Sequence, residues 1–203
     1  MIAWSIEAAL ASGCFDEVIV STDDVEIADT ARQLGASVPF MRPAELADDY
    51  TGTIPVVRHV VQALTDLGRM TEWVCCIYAT APFVRPDDIR LGFDMVADTC
   101  CDYAFTVTTY PFPIQRAIRI TADGRVGMFF EEHFNTRSQD LEEAYHDAGQ
   151  FYWGRRSAWM EGRTIFSPQS CPIVLPRYRV QDIDTEEDWI RAERMFEASR
   201  RSP

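Results

Sequence analysis

Apolar runs of strand length recur along this chain, separated by segments with helical periodicity and their own start and stop signals. Val18-Ile19-Val20-Ser21-Thr22 is a short continuous apolar run, the pattern of a strand buried on both faces of a parallel sheet. Asp23-Asp24 leads from it into a helix through Val25, Ile27, Ala28, Ala31 and Leu34, with Gly35 at the C-cap. Val38-Pro39-Phe40 reads as extended, and Pro39 places it at an edge. Thr53 can cap a helix with Pro55 in its first turn, running through Val56, Val60, Val61 and Leu64 to Gly68. Trp73 to Tyr78 is the next buried strand, a helix follows from Pro86-Asp87-Asp88, and Tyr103 to Thr109 is a further strand. Such alternation defines an α/β domain with a mostly parallel, doubly wound sheet.

The alternation then breaks. Ile118-Arg119-Ile120, a turn at Ala122-Asp123-Gly124-Arg125, and Val126 to Phe130 form a hairpin pattern. Glu131 to His146 is polar and irregular. Phe151-Tyr152-Trp153 is a short aromatic strand, with a small helix near Ser157 to Glu161. Ile173-Val174-Leu175 and Arg177 to Ile183 read as late strands, and Thr185 to Ser199 as a closing amphipathic helix. The chain is therefore expected to be one domain over residues 1–203, with an insertion from about Pro111 to Gln150.

Composition narrows the function. The net charge of −13 excludes general binding to nucleic acid or to an anionic membrane surface, both of which need a basic face. No apolar stretch approaches membrane-spanning length. Among the six cysteines there is no Cys-x-x-Cys pair and no zinc-type spacing, so all six are expected to be reduced thiols of a cytoplasmic protein.

In doubly wound sheets ligands collect at the carboxyl ends of strands. Three segments at such positions carry polar groups. Arg42 opens Arg42-Pro43-Ala44-Glu45-Leu46; its planar fork could bind a base carbonyl or a phosphate, although an arginine so placed often only pairs with a nearby acid. Tyr78-Ala79-Thr80-Ala81-Pro82 has small residues that let a ligand approach the backbone. Asp182-Ile183-Asp184 follows a β-rich run, so its two carboxylates should point the same way, as a hard cation such as Mg²⁺ requires. The ordinary role of such acids is structural: Thr185 followed by Glu186, Glu187 and Asp188 is a helix cap with an acidic first turn.

Taken in order, Ile19-Val20-Ser21-Thr22-Asp23, Arg42-Pro43-Ala44-Glu45-Leu46, Thr80-x-Pro82 and Asp182-Ile183-Asp184-Thr185 resemble the acylneuraminate-type cytidylyltransferases, over nearly the whole chain. Asp48 to Thr53, Ile77 to Phe83, Phe134 to Asp140 and His146 to Tyr152 are similar to the branch of that family that activates pseudaminic acid. Sialic acid enzymes carry Gln-Pro-Thr-Ser-Pro where this chain has Tyr78 to Pro82, and Arg-Pro-Asn-Gly where it has His146 to Gly149. The resemblance implies a Rossmann-like nucleotidyltransferase that transfers CMP from CTP to a nine-carbon acid sugar, releasing pyrophosphate and supplying surface-glycan or flagellin glycosylation. It implies Asp182 and Asp184 as catalytic Mg²⁺ ligands and Arg42 near the cytosine. Tyr78 and Thr80 would lie beside sugar or nucleotide, and Arg137 would face the sugar acid across a homodimer interface. Gln115, or its neighbour Arg116, would meet the carboxylate. The 111–150 insertion resembles the family's dimerisation arm.

The family also begins with a strand and a basic, glycine-containing loop that wraps the triphosphate, and Met1-Ile2-Ala3-Trp4 aligns just past it. The expectation is a truncated reading of an active enzyme, with little or no transferase activity from residues 1–203 alone. The alternatives are a sialic or legionaminic acid cytidylyltransferase and a non-catalytic binding protein of the same fold.

Overall fold

The computed structural model describes the backbone of residues 1–201 and the side chains through Ser199. The described residues form six α-helices: α1 (Ile2–Ser12), α2 (Val25–Gln33), α3 (Thr53–Asp66), α4 (Pro86–Asp98), α5 (Arg156–Glu161) and α6 (Glu186–Arg201). The strands are β1 (Trp73–Ile77), β2 (Tyr103–Thr109), β3 (Ile118–Ile120), β4 (Val126–Met128), β5 (Tyr145–Arg155) and β6 (Ser170–Val174). β3 and β4 form a separate hairpin, and the main sheet has the order β1-β5-β2-β6.

The sheet is mixed. β2 and β6 pair in parallel, while β5 runs antiparallel to both β1 and β2. β1, β2 and β6 therefore share one direction and β5 opposes them. The reversal follows from the insertion: the chain leaves the sheet at Thr109 and re-enters opposite it at Tyr145, so the returning strand must run back. β5 is also far longer than the aromatic triplet Phe151-Tyr152-Trp153 that marks it in the sequence. The arm thus closes at Tyr145 rather than Gln150.

Side-chain alternation along β5 feeds two cores. Phe151 and Trp153 pack on one face with Ile89 and Val96 of α4, while Tyr152 packs on the other with Val57 and Val61 of α3 and with Trp159 of α5. Trp153 Nε1 donates to the Ile89 carbonyl at 2.9 Å, and Trp159 Nε1 to the Val74 carbonyl at 3.2 Å, so each buried indole N–H is satisfied. A smaller cluster joins Ile6, Ala31 and Ala36 to Val18 and Val20.

Several local expectations change. Val18 to Thr22 makes only a parallel bridge between Ile19 and Ser37, through Val20 N to Ser37 O and Ser37 N to Val18 O. α3 is capped by Gly52, not Thr53, and the Thr53 hydroxyl is free to bond elsewhere. Arg177 to Ile183 is no strand; a 3-10 turn at Arg177–Arg179 leads into irregular chain. Its residues are drawn away from the sheet because Arg179 forms a bidentate, largely buried pair with Asp88 of α4, at 2.7 and 3.3 Å. α6 does start as expected: Thr185 Oγ1 accepts from Asp188 N, and the Asp188 carboxylate accepts from Thr185 N, a reciprocal cap.

Not all cysteines are reduced. Cys101 and Cys171 form a disulfide, brought together where β6 runs beside β2. Cys75 and Cys76 are free and serve as packing groups in β1, burial pushing the Cys76 thiol up to about 12. No described helix is long and apolar enough to cross a membrane.

Gly92 sets how closely α4 approaches the sheet. A methyl group there would lie 2.7 Å from Phe151, 2.7 Å from Trp153 and 3.0 Å from Ile173. Gly92→Ala is expected to destabilise the protein by about 1–3 kcal/mol despite the better helix propensity of alanine. Thermal denaturation checks it, and an unchanged or raised Tm would show that the packing is loose.

Candidate active site

The carboxyl end of β1, the bulged start of β5 and the irregular chain before α6 meet at one place. Tyr78 follows β1 directly. Its N–H donates to the Gln150 carbonyl at 2.9 Å, its carbonyl accepts from Ser5 Oγ at 2.8 Å, and its hydroxyl bonds Thr53 Oγ1 at 2.7 Å. Gln150 in turn donates through Nε2 to the Arg179 carbonyl at 2.8 Å, which ties β5 to the chain that carries Asp182.

β5 is irregular at this point. Phe105 pairs with Tyr152 and Val107 with Asp147, so two steps along β2 match five along β5. The surplus residues form a bulge, a device that re-aims side chains beside sites. Within it Gly149 has φ +62°, in the left-handed region that glycine enters without strain. The Asp147 carboxylate closes the bulge, accepting from Gly149 N at 3.0 Å and from the Tyr152 hydroxyl. Burial, and then this bond to Asp147, push the Tyr152 phenol well above its ordinary value.

The Asp182 carboxylate lies over Gly149: a methyl group there would sit 3.4 Å from Asp182 Oδ1. Asp182 and Asp184 are exposed, with Ile183 half-buried between them, in chain that forms no strand. Desolvation, and next the charge of Asp184, raise the Asp182 carboxyl above the ordinary range; Asp147 and Asp188 add to the effect. Neither acid forms an ion pair among the described residues. The chain contains no lysine.

Hard carboxylate oxygens, exposed and held under mutual repulsion, suit a divalent cation such as Mg²⁺. Among the described residues no group of three or more His, Cys, Asp or Glu side chains converges as a full coordination cage. The protein would supply two carboxylates and leave the other positions to substrate and water.

The other expected residues are spread out. Thr80 is exposed in the turn after Tyr78, with no hydrogen bond among the described residues. Arg42 is held by its backbone N–H on the Thr22 carbonyl at 2.8 Å, with its guanidinium 3.6 Å from Asp23; its buried Nε has no partner among the described residues, leaving a donor unspent. Gln115 donates to the Glu142 carbonyl at 3.0 Å and Arg137 pairs with Asp140 at 3.9 Å. Both lie on the arm, outside the Tyr78–Asp182 group. Asp147, Gly149, Tyr152 and the Thr53 hydroxyl were not among the expected site residues. The string Asp147-x-Gly149-x-x-Tyr152 was the available signal.

The chain belongs to the cytidylyltransferase family, whose model matches residues 1–197. Within it the chain is 42% identical over 202 residues to the pseudaminic acid cytidylyltransferase of Campylobacter jejuni, spanning all of this chain and 87% of that protein. It is 30% identical to the CMP-N,N'-diacetyllegionaminic acid synthase of Legionella pneumophila, over 97% of this chain and 85% of that one. In fold it is similar to a CMP-2-keto-3-deoxy-manno-octonic acid synthetase complexed with CTP, with a TM-score of 0.65 at 12% identity over 98% of this chain and 88% of that one.

Because the Asp182 carboxyl is raised in the fold, its ionisation there is disfavoured. Its contribution to stability declines as pH rises through the ordinary aspartate value, about 3.9, toward the raised one. Asp188, lowered chiefly by its bond from Thr185, works oppositely and loses its contribution only in acid. Asp182→Asn is therefore expected to raise Tm at pH 7 in the absence of divalent ions, with the gain shrinking as pH falls toward 4. Calorimetry across that range decides it, and a gain that grows in acid would refute the sign.

Proposed function

We propose that this protein transfers CMP from CTP to pseudaminic acid, giving the CMP-sugar and pyrophosphate in the cytoplasm. The observation that carries the reading is the Asp182–Asp184 pair, uncompensated by any basic side chain among the described residues, at the end of a cytidylyltransferase sheet. The identity to enzymes of the pseudaminic branch supports the choice of sugar.

In this reading Asp182 and Asp184 present their carboxylates to Mg²⁺, which when bound supplies charge neutralisation at the phosphates and at the attacking oxygen. Arg42 offers its unspent Nε–H to the nucleotide. Tyr78 and Thr80 line the approach to the carboxyl end of β1, with the Tyr78 ring held by Thr53 and by packing on Tyr152. The chemistry asked of the protein is positioning and electrostatics: the anomeric hydroxyl attacks the α-phosphorus and pyrophosphate leaves.

The protein should release pyrophosphate from CTP with pseudaminic acid, and far more slowly with sialic or legionaminic acid. Asp182→Asn and Asp184→Asn should each lower kcat on the order of 10²–10³-fold. Full activity in both variants would remove the acid pair from the mechanism. Preferential use of legionaminic or sialic acid would reassign the sugar.

We further propose that the arm joins two copies of the chain. Phe112, Ile120 and Phe134 are respectively 79, 79 and 68% exposed there, an apolar surface that a second protomer would cover. Arg137 would then reach the partner's sugar. Light scattering should give twice the chain mass. Co-expressed Asp182→Asn and Arg137→Ala chains should regain activity that neither has alone. A monomer, or no complementation, would overturn this arrangement.

A further inference from the structure

We infer that Asp147 is the positioning residue of this site: it touches neither substrate nor cation but locks the β5 bulge that supports the Asp182 carboxylate and the tyrosine pair. The inference rests on the proposed role of Asp182. Its ground is geometric. One carboxylate spends its two oxygens on two different parts of the same strand, the Gly149 N–H at 3.0 Å and the Tyr152 hydroxyl. The first bond fixes the left-handed turn directly beneath Asp182. The second holds a buried phenol, 3% exposed, whose ring lies 5.3 Å from that of Tyr78. Tyr78 is anchored at its far end by Thr53, at the start of α3. A continuous run of bonds and ring contacts therefore joins the helix start, the end of β1, the bulge and the metal-binding acid.

Removing Asp147 leaves the buried Tyr152 hydroxyl without its carboxylate acceptor and the Gly149 turn without its closing bond. Displacements of about 1 Å at such supports can cost about 10²-fold in rate. An asparagine keeps the shape and can still accept from one group while meeting the other. A merely structural Asp147 would affect stability and nothing else.

The test compares Asp147→Ala, Asp147→Asn, Tyr152→Phe and Gly149→Ala with the unmodified protein. Three quantities are read: kcat and KM for CTP, Mn²⁺ binding followed by electron paramagnetic resonance, and Tm. Asp147→Ala and Gly149→Ala should lose about 10–100-fold in kcat and weaken Mn²⁺ binding about tenfold or more, with KM for CTP nearly unchanged. Asp147→Asn should restore most of both, and Tyr152→Phe should fall between. Should Asp147→Ala not fold, Gly149→Ala and Tyr152→Phe carry the test. Rates and Mn²⁺ affinity within twofold of the unmodified protein would overturn the inference, as would losses that follow Tm alone. If the unmodified protein makes no CMP-sugar, the functional reading fails, while the Mn²⁺ comparison still decides the role of Asp147.

Discussion

β5 is wedged between β1 and β2 and runs against both. The two cores, the arm and the site all depend on that placement. Because side chains alternate, one strand supplies Phe151 and Trp153 to the α4 side and Tyr152 to the α3–α5 side. α4 can settle close to this strand only because Gly92 offers no side chain. A regular β5 would have continued its ladder with β2 without interruption. The bulge instead gathers Asp147, Gly149 and Gln150 at the end of β1, where a polar loop can meet Tyr78 and the chain before α6.

Electrostatics point the same way. The protein carries a net charge of −13 and draws all of its positive charge from arginine, yet it concentrates Asp147, Asp182, Asp184 and Asp188 within mutual electrostatic reach. Asp188 is stabilised by the Thr185 cap, which accounts for its presence as helix chemistry. Asp182 has no such account: the fold raises its carboxyl rather than stabilising it. That difference is what sets Asp182 apart from the capping acids of α6 and motivates its place in the proposed site.

What the sequence reveals about this arrangement follows the range of each interaction. Arg42, Tyr78 and the Asp182–Asp184 pair stand in local strings at segment ends, where short motifs carry their meaning, and the structure sets Tyr78 and Asp182 against neighbouring residues of the β5 bulge, Gln150 and Gly149. The helix starts are legible for the same reason, since a cap acts over three or four residues. The Tyr152–Asp147 bond is not legible, because it depends on a register shift against β2 that no local pattern encodes. The same holds for Cys101 and Cys171, 70 residues apart and joined only where β2 and β6 lie side by side. Arg177 to Ile183 misleads for the opposite reason. Its β-rich composition is real, but Arg179 is committed to Asp88, and the segment pairs with no strand among the described residues. The first half of β5 is hidden by its polar residues and by Gly149, which break the apolar run expected of a buried strand.

The arm and the site share a mechanical base. Thr109, Thr108 and Val107 of β2 pair with Tyr145, His146 and Asp147 of β5, so the strands that close the arm lead without interruption into the residue that closes the bulge. Tyr110 extends this base, its N–H bonded to the Ala144 carbonyl at 3.1 Å and its ring 4.8 Å from that of His146. A protomer docked on the arm would hold both strands at their exit from the sheet, two residues from Asp147. Association in this protein would then do more than bring Arg137 to a neighbouring site. It would restrain the bulge from its open end, where the main sheet itself offers no further strand between β2 and β1.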